Sequence, residues 1–518
     1  MKKTLLYTAM ACMGLAFGSC SDYLDTNSSK NPPATEIFKD AESARTMING
    51  IYRNFYAAGW SDGWPHENCG LMGIILTADL TGEDHVMYGS GQGWFYYDYL
   101  LSTQGDYSHK SGHPYAFWNL LYTNICNANE LLAHKETLPG DKNHVKALMA
   151  EAYAVRALCY HYLIQIYQQT YVGNEDKPGV PVYTLPADKN TQGAPRGTMR
   201  DTYKRINEDI DSALAQYEFI KAATGEYTVH GDPSNIDYYV ANGLKARICM
   251  TQNRYADAEQ AAKEALKAPY ARIAKVAEFN GMNDATFKNV LWGMKVQTDQ
   301  EGGFPNFFSH MDASNASSYG ARAQKCIGAN LYNKISNTDD RKAWFNGILD
   351  EETGGDNVNY CQHKFQMKDK ANMCGDYIFM RMEEMLLIKA EAECMQDKYT
   401  DARNTLAELM QERDPKGYEK ALEAVIDSKQ YNDDTNAPVV TLMDAILTQR
   451  RIELWGEFGR VFDLKRLNLG YSRDYQGSNH TDGGTVTEPG DLRFVLPLPQ
   501  TEIDGNSEIT EDDNNPFY

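Results

Sequence analysis

The stretch VANGLKARICMTQNRYADAEQAAKEAL (240–266) decides the fold, because a related stretch, EEMLLIKAEAECMQDKYTDARNTLAELM (383–410), follows later in the chain. Each stretch has an apolar helical pattern, a short polar turn and a second helical pattern rich in alanine. Matching residues stand at a constant offset of 144 positions, and the pairs are Ala246 with Ala390, Tyr255 with Tyr399, and Ala258 with Ala402. An offset without gaps predicts an internal repeat of two helix pairs.

Each copy resembles the helix pair of a tetratricopeptide repeat. One such pair cannot bury its own apolar face, so further helices must stack on it. The sequence predicts long amphipathic helices for this role at about 116–132, 144–167 and 442–467, where apolar residues recur at spacings of three and four. We therefore predict a mostly α protein with a tetratricopeptide-like helical-repeat scaffold.

Between the two copies lies a stretch of another kind, at about 269–373, which is rich in Gly, Asn, Ser and aromatic residues and has little helical period. Loops that a rigid scaffold carries are common binding sites. We expect one domain over 41–518, with the scaffold at about 41–268 and 374–470. The irregular insert between the repeats is then the ligand-binding part, and 471–518 is a second irregular part. The zone 59–112 is irregular as well.

The chain opens with MKKTLLYTAMACMGLAFGSC (1–20), in which two lysines and an apolar run lead to small residues and then Cys20. The run is shorter than the roughly 20 residues that a membrane-spanning helix needs. It resembles a bacterial lipoprotein signal, whose cysteine is lipidated before cleavage, and a plain secretory signal is the alternative. We expect a signal at 1–19, a lipid anchor on Cys20 and a polar tether over 20–40.

Charge and motif spacing restrict the function classes. The net charge of −21 repels phosphate and argues against nucleic acid as a ligand. The sequence has no H-E-x-x-H motif, since His66 lacks a second histidine at the required spacing, and no complete G-x-S-x-G elbow. We predict no catalytic residues, no metal site and no cofactor. Paired carboxylates of a glycosidase stay open, because acidic residues are abundant. The cysteines form no C-x-x-C pair, and we predict buried free thiols.

Aromatic residues in polar, glycine-bearing stretches are the candidate binding groups. The C–H faces of a sugar stack on flat rings, while its hydroxyl groups bond to short polar side chains. The candidates are Trp60, Trp64, Tyr88, Trp94, Phe307, Phe308 and Tyr319. Rings at helical spacing, such as Trp118 and Tyr160, are expected in the core instead.

Several stretches together resemble one known family. They are CSDYLD after the leader, RALCYHYLIQIYQ followed by GVPVY, DYIFMRMEEMLLIKAEAE, QRRIELWGEFGRVFDLKRLNLG (449–470), and the tail LPLPQTEI with NNPFY. In this order they resemble the SusD/RagB family, the glycan-binding outer-membrane lipoproteins of Bacteroidetes. The charged residues of the fourth stretch are interpreted as an ion-paired structural network, namely Arg450, Arg451, Glu453, Glu457, Arg460 and Asp463.

The resemblance implies a lipid-anchored protein at the outer membrane, facing the cell exterior. It also implies that the protein binds an oligosaccharide without cleaving it and acts as a lid over a TonB-dependent SusC-like barrel. In the starch-binding member, the binding rings lie in loops that correspond loosely to 85–94 and 307–319 here. Two alternatives stay open: a RagB-like binder of peptides and, as a less favoured class, a surface glycoside hydrolase.

Overall fold

The computed structural model describes residues 34–61, 65–102, 112–188, 190–227, 233–297, 303–345, 359–432 and 440–516. The leader, Cys20, most of the tether and Trp64 lie outside these ranges, so the predictions on them stay predictions. Within the described ranges, no helix combines the length and the apolar character that crossing a membrane requires.

Helices dominate the described part of the chain. In chain order they are α1 (Ala34–Ile37), α2 (Ala41–Asn54), α3 (Leu71–Leu80), α4 (Tyr96–Tyr99), α5 (His113–Ala133), α6 (Lys142–Tyr167), α7 (Met199–Thr224), α8 (Tyr238–Thr251), α9 (Tyr255–Ala265), α10 (Phe307–Met311), α11 (Ala329–Asn333), α12 (Met382–Met395), α13 (Tyr399–Arg413), α14 (Tyr418–Glu423), α15 (Leu442–Glu453), α16 (Arg460–Arg466) and α17 (Gln500–Gly505). The prediction of a mostly α protein is confirmed.

The strands are short and form two-stranded pairs. They are β1 (His85–Tyr88), β2 (Val290–Met294), β3 (Gln324–Ile327), β4 (Tyr377–Arg381), β5 (Val425–Ile426), β6 (Val440–Thr441), β7 (Tyr471–Ser472) and β8 (Val486–Thr487). Strand β1 pairs with β3, β2 with β4 and β7 with β8, all antiparallel, whereas β5 and β6 are parallel. The β1–β3 pair joins the irregular zone near residue 90 to the insert.

The internal repeat is present in the backbone as well as in the sequence. Helices α8 and α12 begin at Tyr238 and Met382 and have the same length of 14 residues. The turn that follows places Asn253 at φ 54° and Asp397 at φ 63°, one residue of left-handed backbone at the same point of each copy. Ala246 and Ala390 are both completely buried. The predicted repeat of helix pairs is therefore confirmed.

The two copies stack directly on each other. Helix α9 packs against α12, and α5, α6 and α7 continue the stack on the other side of α8. Glu259 of α9 accepts hydrogen bonds from Gln396 Nε2 at 2.7 Å and from Lys398 Nζ at 2.6 Å, both in the turn of the second copy. The apolar faces of neighbouring helices thus cover one another, as a single pair could not.

The region predicted to be helical at 442–467 divides into α15 and α16. Gly456 and Gly459 stand between them at φ 79° and φ 90°, in the left-handed region that favours glycine. A Cβ atom on Gly456 would lie 2.5 Å from the ring of Phe365. The two left-handed glycines let the chain turn here, and the close approach of Phe365 from the insert leaves no room for a side chain at Gly456.

A buried ion-pair network ties α15 to the rest of the fold. Glu453 is completely buried, and its carboxylate accepts hydrogen bonds from Arg341 at 3.1 Å, Arg381 at 3.0 Å and Arg413 at 2.9 Å. Burial alone would raise the pKa of Glu453, but these arginines hold it well below its ordinary value. Because the three arginines come from the insert, β4 and α13, one carboxylate links three elements.

The remaining charged residues of that stretch are paired in the same way. Their partners are Asp463 for Arg450, Glu83 and Asp84 for Arg451, Glu83 for Arg460, and Arg381 and Lys364 for Glu457. The interpretation of this stretch as a structural ion-pair network is confirmed.

Candidate ligand-binding site

Three irregular segments meet beside the β1–β3 pair. The first is the 3-10 turn Pro65–Glu67, the second is the glycine-rich loop that follows β1, and the third is the turn between α10 and β3. Tyr88 at the end of β1 stands opposite Gln324 at the start of β3. A Cβ atom on Gly89, whose φ is 89°, would lie 2.9 Å from the carbonyl oxygen of Arg322. Glycine therefore lets the second and third segments run close together.

Together with Phe304, which precedes α10, these segments bring together four rings, which we call the aromatic cluster: His66, Trp94, Phe304 and Tyr319. The rings of His66 and Trp94 are stacked, with centroids 4.6 Å apart and an interplanar angle of 26°. The ring centroids of Trp94 and Tyr319 are 4.5 Å apart, and those of Phe304 and Tyr319 are 5.8 Å apart. The sequence predicted that the loops carrying Trp94 and Tyr319 could meet on one face, and in the structure these two rings are in contact.

Hydrogen bonds fix the orientation of the cluster. His66 Nδ1 and the Tyr319 hydroxyl group are 2.6 Å apart, and His310 Nε2 lies 2.7 Å from the His66 carbonyl oxygen. Burial, with a smaller effect from nearby Lys325, lowers the pKa of His310 to about 3. The His310 ring is therefore neutral at pH 7, and it must carry its proton on Nε2 because the carbonyl oxygen can only accept.

Part of the cluster is accessible to a ligand. Phe304 is 42% exposed, and Tyr88, at the end of β1, is 44% exposed. His66, Trp94 and Tyr319 are half-buried. Rings of intermediate exposure keep part of their surface accessible while packing holds the rest, and stacking on a ligand requires such accessible surface.

The structure corrects the expectation for Phe307 and Phe308. Asn306 caps the short helix α10, which turns both rings into the core, where they are 2% and 1% exposed. They pack against Tyr377 and, in the case of Phe307, also against Phe365. A ring without accessible surface cannot stack on a ligand, so these two residues belong to the core.

Trp60 occupies a separate place. Its Nε1 donates to the Ala57 carbonyl oxygen at 3.0 Å, and its own carbonyl oxygen accepts from Asn119 of α5 at 3.1 Å. Among the residues that the structure describes, no ring contact joins Trp60 to the aromatic cluster. Trp60 stays a candidate because it is half-buried rather than buried.

Sequence reasoning missed three residues of this site. Phe304 lies in the same aromatic stretch as Phe307, and His66 and His310 were weighed only as metal ligands or not at all. The relevant signal was the glycine before Phe304 and the proline before His66, which mark turns at the surface. The contact of His66 with Trp94 joins separate loops and has no local signature.

A buried group of Glu67, Asp98 and His113 lies directly behind the cluster. Its potential ligand atoms are within 4.8 Å of one another, which is a geometry that could hold a metal ion. His113 Nδ1 lies 3.0 Å from Asp98 Oδ1, and Glu67 Oε2 accepts from the Phe95 backbone N–H at 2.7 Å. Burial opposes protonation of His113, but the two carboxylates outweigh it and raise the pKa of the ring. His113 thus lies between two buried carboxylates, and the hydrogen bond from the Phe95 N–H to Glu67 ties this group to the loop after Trp94.

Two family models and one known protein match this chain. The family model described as the SusD family matches residues 223–518, and a second model, described as starch-binding associating with outer membrane, matches residues 77–218. SusD-like protein P2 of Formosa agariphila is 22% identical, over 97% of this chain and 98% of that protein.

Solved structures share the fold over most of their length. A SusD-like carbohydrate binding protein from Bacteroides vulgatus has a TM-score of 0.71 at 19% identity, covering 92% of this chain and 98% of its own. A SusD superfamily protein from Bacteroides thetaiotaomicron has a TM-score of 0.69 at 20% identity, covering 92% of this chain and 100% of its own. A laminarin binding SusD-like protein has a TM-score of 0.64 at 17% identity, covering 93% and 100%.

Proposed function

The chain belongs to the SusD family, and on that premise we propose that it binds an oligosaccharide at the cell surface and delivers it to a TonB-dependent SusC-like transporter without cleaving it. The observation that carries the proposal is the aromatic cluster, in which Trp94 and Tyr319 are in ring contact and partly accessible. Flat, partly open rings supported by packed neighbours suit the C–H faces of a sugar.

The ligand class draws further support from a structural neighbour. That protein is described as laminarin binding, and we extend the class, a glycan, to this chain. Phe304, which is in ring contact with Tyr319, extends the accessible aromatic surface beyond Trp94 and Tyr319, and Tyr88 is a further exposed ring. A surface with several rings suits a chain of sugar units better than a single one, because each unit can stack on its own ring.

Binding without hydrolysis is favoured by the state of the nearest carboxylates. Glu67 and Asp98 are 0% and 1% exposed, and both lie against His113. A glycosidase needs an acid and a second carboxylate on either side of the scissile bond, in contact with the substrate. Two carboxylates that are enclosed behind the rings do not meet that requirement.

The proposal includes the anchor and the partner. We propose that residues 1–19 are removed, that lipidated Cys20 holds the protein to the outer membrane on the cell exterior, and that 20–40 is the tether of one domain over 41–518. More than one acyl chain on Cys20 would hold the protein stably, since a single chain gives only marginal binding. The barrel partner rests on the family premise.

A glycan array on the lipid-free protein, beginning at Ser21, tests the ligand class. We expect selective retention of oligosaccharides of one linkage type, confirmed by calorimetry with the selected glycan. Chromatography of the glycan after long incubation should show unchanged chain length. Retention of peptides but of no glycan would favour the RagB-like alternative, and shortened products would favour a glycoside hydrolase.

Co-expression with a TonB-dependent barrel tests the partner. We expect the barrel to co-purify with the tagged full-length chain in mild detergent. A chain that is recovered alone, while a known pair of this kind stays intact in the same detergent, would contradict the partner assignment but not the glycan assignment.

A further inference from the structure

Two buried cysteines face each other beneath the β1–β3 pair. Cys326 lies in β3, and it forms an antiparallel bridge with Cys361, which lies 35 positions further along the chain. The two side chains are 1% and 0% exposed. Each of the two thiols shifts the pKa of the other, upward for Cys326 and downward for Cys361.

The backbone pattern defines the type of pair. On one side of the bridge, Ile327 N–H donates to the Tyr360 carbonyl oxygen at 3.1 Å, and on the other, Gln362 N–H donates to the Lys325 carbonyl oxygen at 3.0 Å. The hydrogen bonds therefore flank the two cysteines instead of joining them. This is the non-hydrogen-bonded position of an antiparallel pair, where Cα atoms are about 4.5 Å apart and side chains are closest.

That geometry suits a covalent bond. Disulfides span Cα separations of roughly 4.4–6.8 Å, so a non-hydrogen-bonded pair can be bridged without backbone movement. Cys159 and Cys249 give a contrast, since they are buried within helices α6 and α8 and do not stand opposite another cysteine in a β-bridge.

In the folded chain, the surroundings shift the pKa values of the two thiols. The hydrogen bond from Cys326 lowers the pKa of Cys361, burial opposes this, and the nearby Lys325 side chain adds to the lowering. Lys325 is itself completely buried beside them, with its Nζ donating to the Ala323 carbonyl oxygen at 2.8 Å. Burial lowers the pKa of Lys325 itself to about 7, so its ammonium group is only partly ionised at neutral pH.

Both cysteines carry free thiols in this structure, as the sequence predicts for the cysteines in general. For this one pair we propose instead that Cys326 and Cys361 form a disulfide bond in the exported protein, made while the chain folds. The proposal rests on the export proposed above, because disulfides form and persist in oxidising compartments. It does not depend on which ligand the aromatic cluster binds.

The reaction is thiol–disulfide exchange with a protein of the dithiol–disulfide oxidoreductase class. The Cys361 thiolate attacks a sulfur of the oxidant's disulfide, which breaks that S–S bond and forms a mixed disulfide. The Cys326 thiolate then attacks Cys361 Sγ and displaces the oxidant's sulfur as a thiolate. The two cysteines lose two electrons and two protons, and the oxidant becomes a dithiol. Because both sulfurs are buried in the folded chain, exchange must precede closure of the core.

The bond would brace the ligand-binding site. It would fasten β3, whose first residue Gln324 stands opposite Tyr88, to the segment that returns from the far end of the insert. A cross-link between positions 35 residues apart removes conformational freedom from the unfolded chain. The turn that carries Tyr319 would then lie next to a covalently fixed strand.

Mass spectrometry of the exported protein tests the bond. Free thiols are blocked under denaturing conditions without reductant, and the protein is digested and examined before and after reduction. We expect one peptide pair linked through Cys326 and Cys361, whereas Cys159 and Cys249 carry the blocking group. The intact mass first verifies that the leader has been removed, which separates a failure of export from a failure of the proposal. Blocked thiols at both Cys326 and Cys361 in the exported protein would overturn it.

A stability comparison provides the second readout. We expect reductant to lower the melting temperature of the exported parent by a few degrees and to leave the double variant Cys326→Ala/Cys361→Ala unchanged. The control variant Cys249→Ala should keep the full response to reductant, because it leaves the pair intact. An equal response of the parent and the double variant to reductant would contradict the bond. Should the double variant fail to fold, the peptide mapping of the exported parent still shows whether Cys326 and Cys361 are linked.

Discussion

The ring of Trp94 lies 4.5 Å from the ring of Tyr319, at an interplanar angle of 56°, although the first follows β1 and the second precedes β3. The contact exists because β1 pairs with β3 and because Gly89 lets the loop after β1 approach the turn before β3. It joins two segments that lie far apart in the sequence. This contact is the centre of the proposed glycan site.

Trp94→Ala and Tyr319→Ala are expected to weaken glycan binding. Removal of a central ring at a binding site costs more than about 1 kcal/mol of binding free energy, or at least about fivefold in affinity. Calorimetry with the glycan selected by the array measures the change. Affinities equal to that of the parent in both variants would place the site elsewhere, with Trp60 and Trp64 as the next candidates.

Phe308→Ala provides the matched control for these two variants. Because its ring is 1% exposed, we expect a loss of about 3–5 kcal/mol in the free energy of unfolding. Trp118→Ala, at a side chain that is 6% exposed, should behave similarly. Thermal melts of all four variants on the same samples separate loss of fold from loss of the site.

Ala246→Phe and Ala390→Phe should destabilise the scaffold. Both residues are 0% exposed at equivalent points of the two repeats, and overpacking of such a contact costs about 1–3 kcal/mol. Chemical denaturation measures the free energy of unfolding, with Ala223→Phe on the exposed end of α7 as the control. Unchanged stability of both core variants would contradict close helix packing at these alanines.

Glu453→Gln should be among the most destabilising single changes. It removes the negative charge that Arg341, Arg381 and Arg413 share in a completely buried position. Removal of one partner from a buried ion pair costs about 3–5 kcal/mol, because the remaining charge is left uncompensated. Glu278→Gln, at a surface pair with Arg272, is the control and should change stability little. Similar melting temperatures for the two variants would show that the network is not structural.

Acid should weaken the contact between the two repeats. Burial raises the pKa of Glu259, but hydrogen bonds from Lys263, Lys398 and Gln396 outweigh burial. They lower this pKa to about 2, from an ordinary value of 4.5. A lowered pKa in the folded state means that ionised Glu259 stabilises the fold above pH 4.5 and that this contribution disappears as the pH falls through about 2.

The stability difference between the parent and Glu259→Gln should follow that range. We expect the difference to be largest near neutral pH and to shrink below pH 4.5, as measured by denaturation at a series of pH values. A difference that is constant from neutral pH down to about 2 would assign the effect of the substitution to packing rather than to charge.

Cys20→Ala should release the protein from the membrane. Without the thiol, the lipid cannot be attached, and the chain should remain unprocessed or become soluble. Fractionation of cells that express parent and variant, with Cys126→Ala as a control cysteine, measures the partition. Outer-membrane partition of the Cys20 variant equal to that of the parent would show that the anchor lies elsewhere.

The scaffold could be predicted from the sequence because its signals are local. The offset between Ala246 and Ala390 survives folding unchanged, since both helix pairs have the same length and the same left-handed residue in the turn. The pairing of charges around Glu453 was also predictable as a class, because so many charges in one apolar stretch must neutralise one another when buried. The identity of their partners was not, because Arg341 and Arg413 lie far away in the sequence.

The sequence by itself determined the repeats, the helical class and the two aromatic loops that could meet. The tertiary structure alone decided which rings are accessible. Phe304 and Phe308 lie in one short stretch, yet the first is 42% exposed and the second 1%. The difference arises because α10 turns Phe308 towards Tyr377, whereas Phe304 precedes the helix and lies against Tyr319. Periodicity reports which residues share a helix face, but burial depends on what packs against that face from elsewhere in the chain.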